Sequence, residues 1–157
     1  MQGSTVQRRS DLDEASIRKL GECFRGELSA VETYELALKH IDHVGLHREL
    51  QDILTSHARR VDILRERLRN HGADSMQSSG AWGTFAKVVQ TGADLLGDRA
   101  ALSALEEGED HGIKLYTTDL DGCDPDVRNF IRSQLLPEQQ RTHDACRSLK
   151  NYVKQLS

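Results

Sequence analysis

The chain has 157 residues, of which 37% are hydrophobic and 29% are charged, and this balance suits one compact domain. The formal net charge of −4 argues against a dedicated nucleic-acid-binding protein. The longest run without a charged side chain, residues 75–86, is much shorter than the roughly 20 apolar residues that a membrane-spanning helix needs. Residues 1–10 are polar and lack a signal-peptide pattern, which predicts a flexible tail on a cytoplasmic protein.

The distribution of leucine, alanine, glycine and proline predicts an all-α protein. Alternating apolar and polar runs are missing, and the chain has only two prolines. Caps and glycine stops predict one domain over residues 11–157, with helices at about 11–43, 46–70, 82–96, 98–121 and 125–156. The helix at 82–96 is short and lies in the connection between the second and third long helices. Long helices joined in this way favour an antiparallel four-helix bundle.

Each long helix carries one ionisable side chain within its apolar stripe. In chain order these side chains are Glu27, His57, Glu109 and His143. The last stripe is blurred near its start, because Pro137 lacks the N–H that a regular helix would use there. Since an unpaired charge in a helical core is costly, the four groups need a metal ion or one another as partners.

The two halves of the chain share a motif. Gly26-Glu27 is followed by Tyr34, and Gly108-Glu109 is followed by Tyr116, and in both cases the tyrosine stands seven positions after the glutamate. The distance from the glutamate to the next histidine in a stripe is roughly similar, 30 residues in the first half and 34 in the second. This repeat predicts two helical hairpins related by a pseudo-twofold axis.

The motifs at residues 26–34 and 107–116 resemble the rubrerythrin-type pattern of the ferritin-like superfamily. Within that superfamily the chain looks like a branch of bacterial ferritin-like bundles filed as a domain of unknown function. Residues 78–83, 108–112 and Leu136-Pro137 carry this second likeness. The resemblance implies a ferritin-like four-helix bundle with an additional helix in its middle connection.

The superfamily's di-iron members carry a lone glutamate on the first and third bundle helices and Glu-x-x-His on the second and fourth. By resemblance, Glu27 and Glu109 match the lone glutamates, and His57 and His143 match the motif histidines. Leu54 and Gln140 then stand where the motif glutamates belong, so neither motif carboxylate is present. This substitution disfavours ferroxidase and peroxidase activity, and the sequence leans against an enzyme.

Two hypotheses of function follow from these residues. In the first, Glu27, His57, Glu109 and His143 hold one ion of zinc, iron or manganese, and relatives suggest a stress- or oxidant-related role. The residues expected around the ligands are Gln140, Tyr34 and Tyr116.

In the alternative, Glu27 pairs with His57 and Glu109 with His143 in a metal-free structural or interaction bundle whose di-iron site is degenerate. Under either hypothesis, the apolar residues of the helix at 82–96 give a candidate surface for a homodimer. The three cysteines are widely spaced and odd in number, which disfavours a disulfide framework.

Overall fold

The structure is a computed structural model that describes residues 2–72 and 97–156, with side chains described from residue 13 onwards. Its helices are α1 (Gln2–His40), α2 (His47–Asn70), α3 (Asp98–Thr117), α4 (Pro125–Phe130) and α5 (Leu136–Leu156). A 3-10 turn at Val44–Leu46 precedes α2, and a π-helical turn at Ile131–Leu135 joins α4 to α5. The described ranges contain no strand, so the prediction of an all-α protein is confirmed for them. The predicted helix at 82–96 lies outside the described residues.

Two helix boundaries differ from the prediction for physical reasons. The first helix begins at Gln2, so residues 2–10, which were predicted to form a flexible tail, continue α1. It ends at His40, three residues earlier than predicted, because the backbone N–H groups of Asp42 and His43 donate to the carboxylate of Asp98 instead of to the preceding helical turn.

The π-helical turn lies directly before Pro137, where the sequence predicted a kink. Pro137 has no N–H for the carbonyl of Ser133, so the regular hydrogen-bond ladder cannot pass through this point. The turn changes which residues face the core. Gln139 is 1% exposed, whereas Gln140, which the predicted stripe placed inside, is exposed.

The apolar core consists of two clusters, each built from all the long helices. The first cluster includes Leu20 of α1, Leu64 of α2, Tyr116 of α3 and the segment around Ile131. The second cluster includes Ile41, Leu50, Leu102 and Leu149. Since these side chains are at most 3% exposed apart from Leu149, which is 8% exposed, both clusters exclude water. The residues between the clusters are polar and form the candidate site.

The described part of the chain contains two further features that bear on the predictions. Cys23, Cys123 and Cys146 are all buried free thiols, in agreement with the expectation that no disulfide framework exists. No helix in residues 2–72 and 97–156 combines the length and the apolar character that crossing a membrane requires.

Replacement of Asp98 tests the junction between α1 and α3. Its two carboxylate oxygens lie 3.0 Å from the Asp42 nitrogen and 2.9 Å from the His43 nitrogen. We expect Asp98→Ala to lower the free energy of unfolding by about 1 kcal/mol, measured by urea denaturation, because two N–H groups lose a charged acceptor. Asp98→Asn keeps one acceptor oxygen and should lose less; an equal loss in both variants would contradict this account.

Candidate functional site

A layer of eight polar and aromatic side chains separates the two apolar clusters, and we call it the central polar layer. Every member is 3% exposed or less, so the whole layer is removed from water. Its members are Glu27 and Tyr34 of α1, His57 and Arg60 of α2, Glu109 and Tyr116 of α3, and Gln139 and Thr142 of α5.

His57 bridges the two buried carboxylates. Its Nδ1 lies 2.6 Å from Glu27 Oε2, and its Nε2 lies 2.9 Å from Glu109 Oε1. A neutral imidazole has only one N–H, so one ring nitrogen would face a carboxylate oxygen with no proton between them. The arrangement therefore fits the imidazolium form, which donates to both glutamates. The ring also stacks on Tyr34 at a centroid distance of 5.3 Å.

Arg60 supplies a second positive charge to the layer. Its Nη1 lies 3.0 Å from Glu27 Oε1 and also donates to Gln139 Oε1, and its Nη2 lies 3.2 Å from Thr142 Oγ1. The guanidinium is 2% exposed and stays protonated in proteins. With His57 protonated, two cations balance two carboxylates within the layer.

Both carboxylates are fully supplied with donors. Glu109 Oε1 accepts from Tyr34 at 2.7 Å as well as from His57, and Oε2 accepts from Gln139 Nε2 at 2.7 Å and Thr142 Oγ1 at 2.9 Å. Glu27 accepts from His57, Arg60 and the hydroxyl of Tyr116. These charge-assisted hydrogen bonds compensate the desolvation of the two carboxylates.

The layer has a pseudo-twofold arrangement. Glu27 contacts residues 30 and 33 positions later, His57 and Arg60, and Glu109 contacts residues at the same separations, Gln139 and Thr142. Each tyrosine donates to the glutamate of the other half, Tyr34 to Glu109 and Tyr116 to Glu27. Every group in the second half stands 82 positions after its counterpart, as Thr142 does after Arg60.

Burial and charge pairing act in opposite directions on the pKa values of the layer. Burial alone would raise the pKa of Glu27, but the positive charges of His57 and Arg60 outweigh it and hold the pKa below its usual value. The pKa of Glu109 is likewise lowered, because His57 outweighs the effect of burial. Burial would lower the pKa of His57, yet the two glutamates raise it overall.

The structure brings together three of the four residues predicted as metal ligands. Glu27, His57 and Glu109 meet in the layer, and Tyr34 and Tyr116 lie around them as expected. His143 is not with them. It is buried outside the layer, and its Nε2 lies 2.6 Å from Oδ1 of Asp110, a side chain that is 56% exposed.

Gln140 was also expected beside the ligands, but it is exposed, and the π-helical turn places Gln139 and Thr142 in the layer instead. Sequence reasoning missed both of these residues, and it missed Arg60 because that residue lies in a charged run that resembles a solvated face. A signal for one of them, Gln139, was present in the sequence. The separation of 30 residues between Glu27 and His57, applied strictly to Glu109, leads to Gln139 and not to His143.

The donor set does not fit a resident metal ion. A metal bound by Glu27, His57 and Glu109 would have to displace the hydrogen bonds of His57, and it would lie beside the guanidinium of Arg60. Two cations in that small volume repel each other strongly at low dielectric. Among the described residues, no group of three or more His, Cys, Asp and Glu side chains is arranged to hold a metal ion.

In the comparison with protein families, residues 15–121 match the family described as Domain of unknown function (DUF2383). The chain belongs to this family. The matched region contains both glutamates and both cations of the layer, whereas Gln139 and Thr142 lie beyond it. Comparisons with curated proteins and with solved structures give no significant match.

The raised pKa of His57 predicts a pH-dependent stability. The protonated form of His57 stabilises the folded state. This stabilisation is fully present below the unfolded-state pKa of about 6.5, and it is lost as the pH rises through the raised folded-state pKa. We expect His57→Gln to lower the free energy of unfolding by about 3–5 kcal/mol at about pH 6. The difference in the free energy of unfolding between wild type and this variant should become smaller as the pH rises. Urea denaturation at successive pH values measures it.

His143→Gln is the matched control for this series, because His143 pairs with the exposed Asp110 and its loss should cost at most about 1 kcal/mol. A free-energy difference between wild type and His57→Gln that stays constant over the whole pH range in which both proteins fold would contradict the role of His57 as the bridging cation.

Two glycines of α3 offer a test of how tightly the layer is packed. A Cβ at Gly112 would lie 2.3 Å from Nε2 of Gln139, which is held by Glu109 and Arg60 and cannot move without breaking those bonds. A Cβ at Gly108 would have no neighbour within 4 Å. We expect Gly112→Ala to destabilise by about 1–3 kcal/mol and Gly108→Ala to be neutral or stabilising by up to about 1 kcal/mol. Thermal and urea unfolding would measure both, and equal effects would contradict the packing described here.

Proposed function

We propose that this protein is a ferritin-like helical bundle in which internal cations take the place of metal ions, and that it acts as a metal-free structural or interaction module. The observation that carries the proposal is the buried ion pair between Arg60 and Glu27, at 3.0 Å. Arg60 places a permanent positive charge at the centre of the molecule, where a metal-binding relative would place an ion.

The direction of the helices supports a ferritin-like topology. The helix α1 runs from the first apolar cluster to the second, and α2 runs back. The start of α3 lies beside the end of α1, through Asp98, so α3 runs in the same direction as α2. The end of α2 and the start of α3 therefore lie at opposite ends of the described helices, a placement that fits the long crossover by which ferritin-like bundles differ from simple up-and-down bundles.

The spacing of the polar layer supports the same assignment. A di-iron bundle uses two lone glutamates and two Glu-x-x-His pairs that project inward. In this chain the inward pairs three residues apart are His57 with Arg60 and Gln139 with Thr142. These pairs are better counterparts of the two Glu-x-x-His motifs than those suggested by Leu54 and Gln140. By this alignment, neither motif glutamate and neither motif histidine is in place, and of the four positions only His57, which stands where a glutamate belongs, is still a residue type that binds metals.

The net charge of the layer is consistent with the loss of the metal-binding motifs. Two Glu-x-x-His pairs and two lone glutamates give four carboxylates, which two divalent ions neutralise. Here only Glu27 and Glu109 are acidic, and His57 and Arg60 neutralise them without an ion. No catalytic step is assigned to this arrangement, because every functional group in it is held by an internal partner. The predicted homodimer surface at 82–96 remains a prediction from the sequence.

Metal analysis tests the proposal directly. Wild-type protein purified without chelators or an affinity tag should contain no stoichiometric zinc, iron or manganese, because Arg60 and His57 already neutralise the layer. Elemental analysis by mass spectrometry measures this content. One equivalent of metal that is lost in Glu27→Gln would overturn the proposal and favour the hypothesis of a single bound ion.

A gain-of-function variant provides the matched comparison. The combined changes His57→Glu, Arg60→His, Gln139→Glu and Thr142→His restore both inward Glu-x-x-His pairs at the aligned positions. We expect this variant to bind about two equivalents of cobalt or iron and to fold only with metal, because its four buried carboxylates repel one another otherwise. A variant that folds equally well without metal would contradict the alignment.

A further inference from the structure

A cavity of about 40 Å³ lies between α1 and α3 and leads to the central polar layer. Its walls are short side chains and glycines of both helices, including Gly26, Ala30 and Gly108, together with Leu105 and Leu115. Its inner end is formed by Tyr34, His57 and Glu109, which belong to the layer. Ser29, Thr33 and His111 also line the cavity, but most of its surface is apolar.

The glycines that line the cavity do not all have the same reason to be glycine. A Cβ at Gly26 would lie 2.8 Å from Leu115, and one at Gly112 would lie 2.3 Å from Gln139, so close packing requires both. Gly108 has no such neighbour within 4 Å and no positive φ angle. A glycine inside a helix costs about 1 kcal/mol relative to alanine. No close contact requires a glycine at position 108, so packing does not compensate this cost. The glycine instead leaves an open space next to Glu109.

The polar floor of the cavity restricts the charge of a ligand. The oxygens of Glu109 already accept from four donors, and both ring nitrogens of His57 are engaged by carboxylates. His111 also lines the cavity, and burial and the charge of Lys114 lower its pKa, which favours the neutral imidazole. A charged ligand would therefore find a counter-ion only by breaking one of these bonds or by protonating His111. An uncharged molecule meets no such penalty and gains the contacts of the apolar walls.

We propose that this cavity is a binding site for a small, uncharged and largely apolar molecule. One water needs about 10–15 Å³ of such space, so the cavity admits a ligand of about three or four non-hydrogen atoms. The ligand lies between Gly108 and Ala30, with one end against Tyr34 and Glu109. The site shares Tyr34, His57 and Glu109 with the layer, but the proposal requires no metal ion, because most of the ligand's contacts are with the walls at the α1–α3 interface.

Xenon is a suitable probe because it is uncharged, apolar and small enough for cavities of this kind. Titration of the full chain with xenon under pressure, followed by methyl NMR, should give saturable shifts at Ala30, Leu105 and Leu115. The methyl groups of Leu46, which is buried in the second cluster away from the cavity, should not show saturable shifts. Shifts that grow linearly at all of these methyl groups would overturn the proposal.

Substitution at Gly108 locates the site. Gly108→Leu should fill the cavity and abolish the saturable shifts. Glu107→Leu introduces the same side chain at the exposed neighbouring residue and should leave the shifts intact. Gly108→Ala adds one methyl group without a clash, so it should fold at least as well as wild type and bind xenon severalfold more weakly. Unchanged xenon binding in Gly108→Ala would overturn the proposal even if Gly108→Leu fails to fold.

Discussion

The buried charges of Glu27 and Glu109 are the constraint on which the rest of the structure depends. A carboxylate in the interior of a protein is tolerated only when opposite charge and hydrogen-bond donors surround it. These glutamates receive both from inside the chain, through the cations His57 and Arg60 of α2. One helix therefore neutralises carboxylates from two others, and three helices are held in a single electrostatic unit.

The two halves of the layer contribute unequally to the neutralisation of the two glutamates. Tyr34 and Tyr116 donate symmetrically, each across to the other half. The residues that follow the glutamates by 30 and 33 positions are not equivalent, because α2 contributes two cations and α5 contributes the neutral Gln139 and Thr142. Since His57 contacts both glutamates, the charge of α2 serves both halves. The duplicated geometry thus persists with a chemistry that is no longer duplicated.

Much of this site follows from periodicity in the sequence, but the last helix does not. The stripes of α1, α2 and α3 place Glu27, His57 and Glu109 inside, because regular helices preserve their register over many turns. In the last helix, the π-helical turn before Pro137 shifts the buried face. Gln140, which extrapolation placed inside, is therefore exposed, whereas His143 is buried as predicted but pairs with Asp110 outside the layer.

The burial of Arg60 was not predicted, for a different reason. A long charged side chain within a charged run is normally exposed, and only the position of its partner shows that it is buried. Here that partner, Glu27, lies 33 residues earlier and on another helix. Burial of Arg60 is therefore a property of the packed pair and is not encoded in the pattern of α2 alone.

The polar layer also determines how the helices align along their axes. An apolar core tolerates small sliding movements, because one leucine contact can replace another at little cost. A slide of α1 by one turn against α2 would remove Glu27 from both His57 and Arg60 and bring its carboxylate toward apolar side chains such as Leu64. Breaking a buried pair in this way costs about 3–5 kcal/mol, a large fraction of the stability of a typical domain. Because apolar clusters lie on both sides of the layer, sliding in either direction meets the same penalty, and only one register satisfies both glutamates.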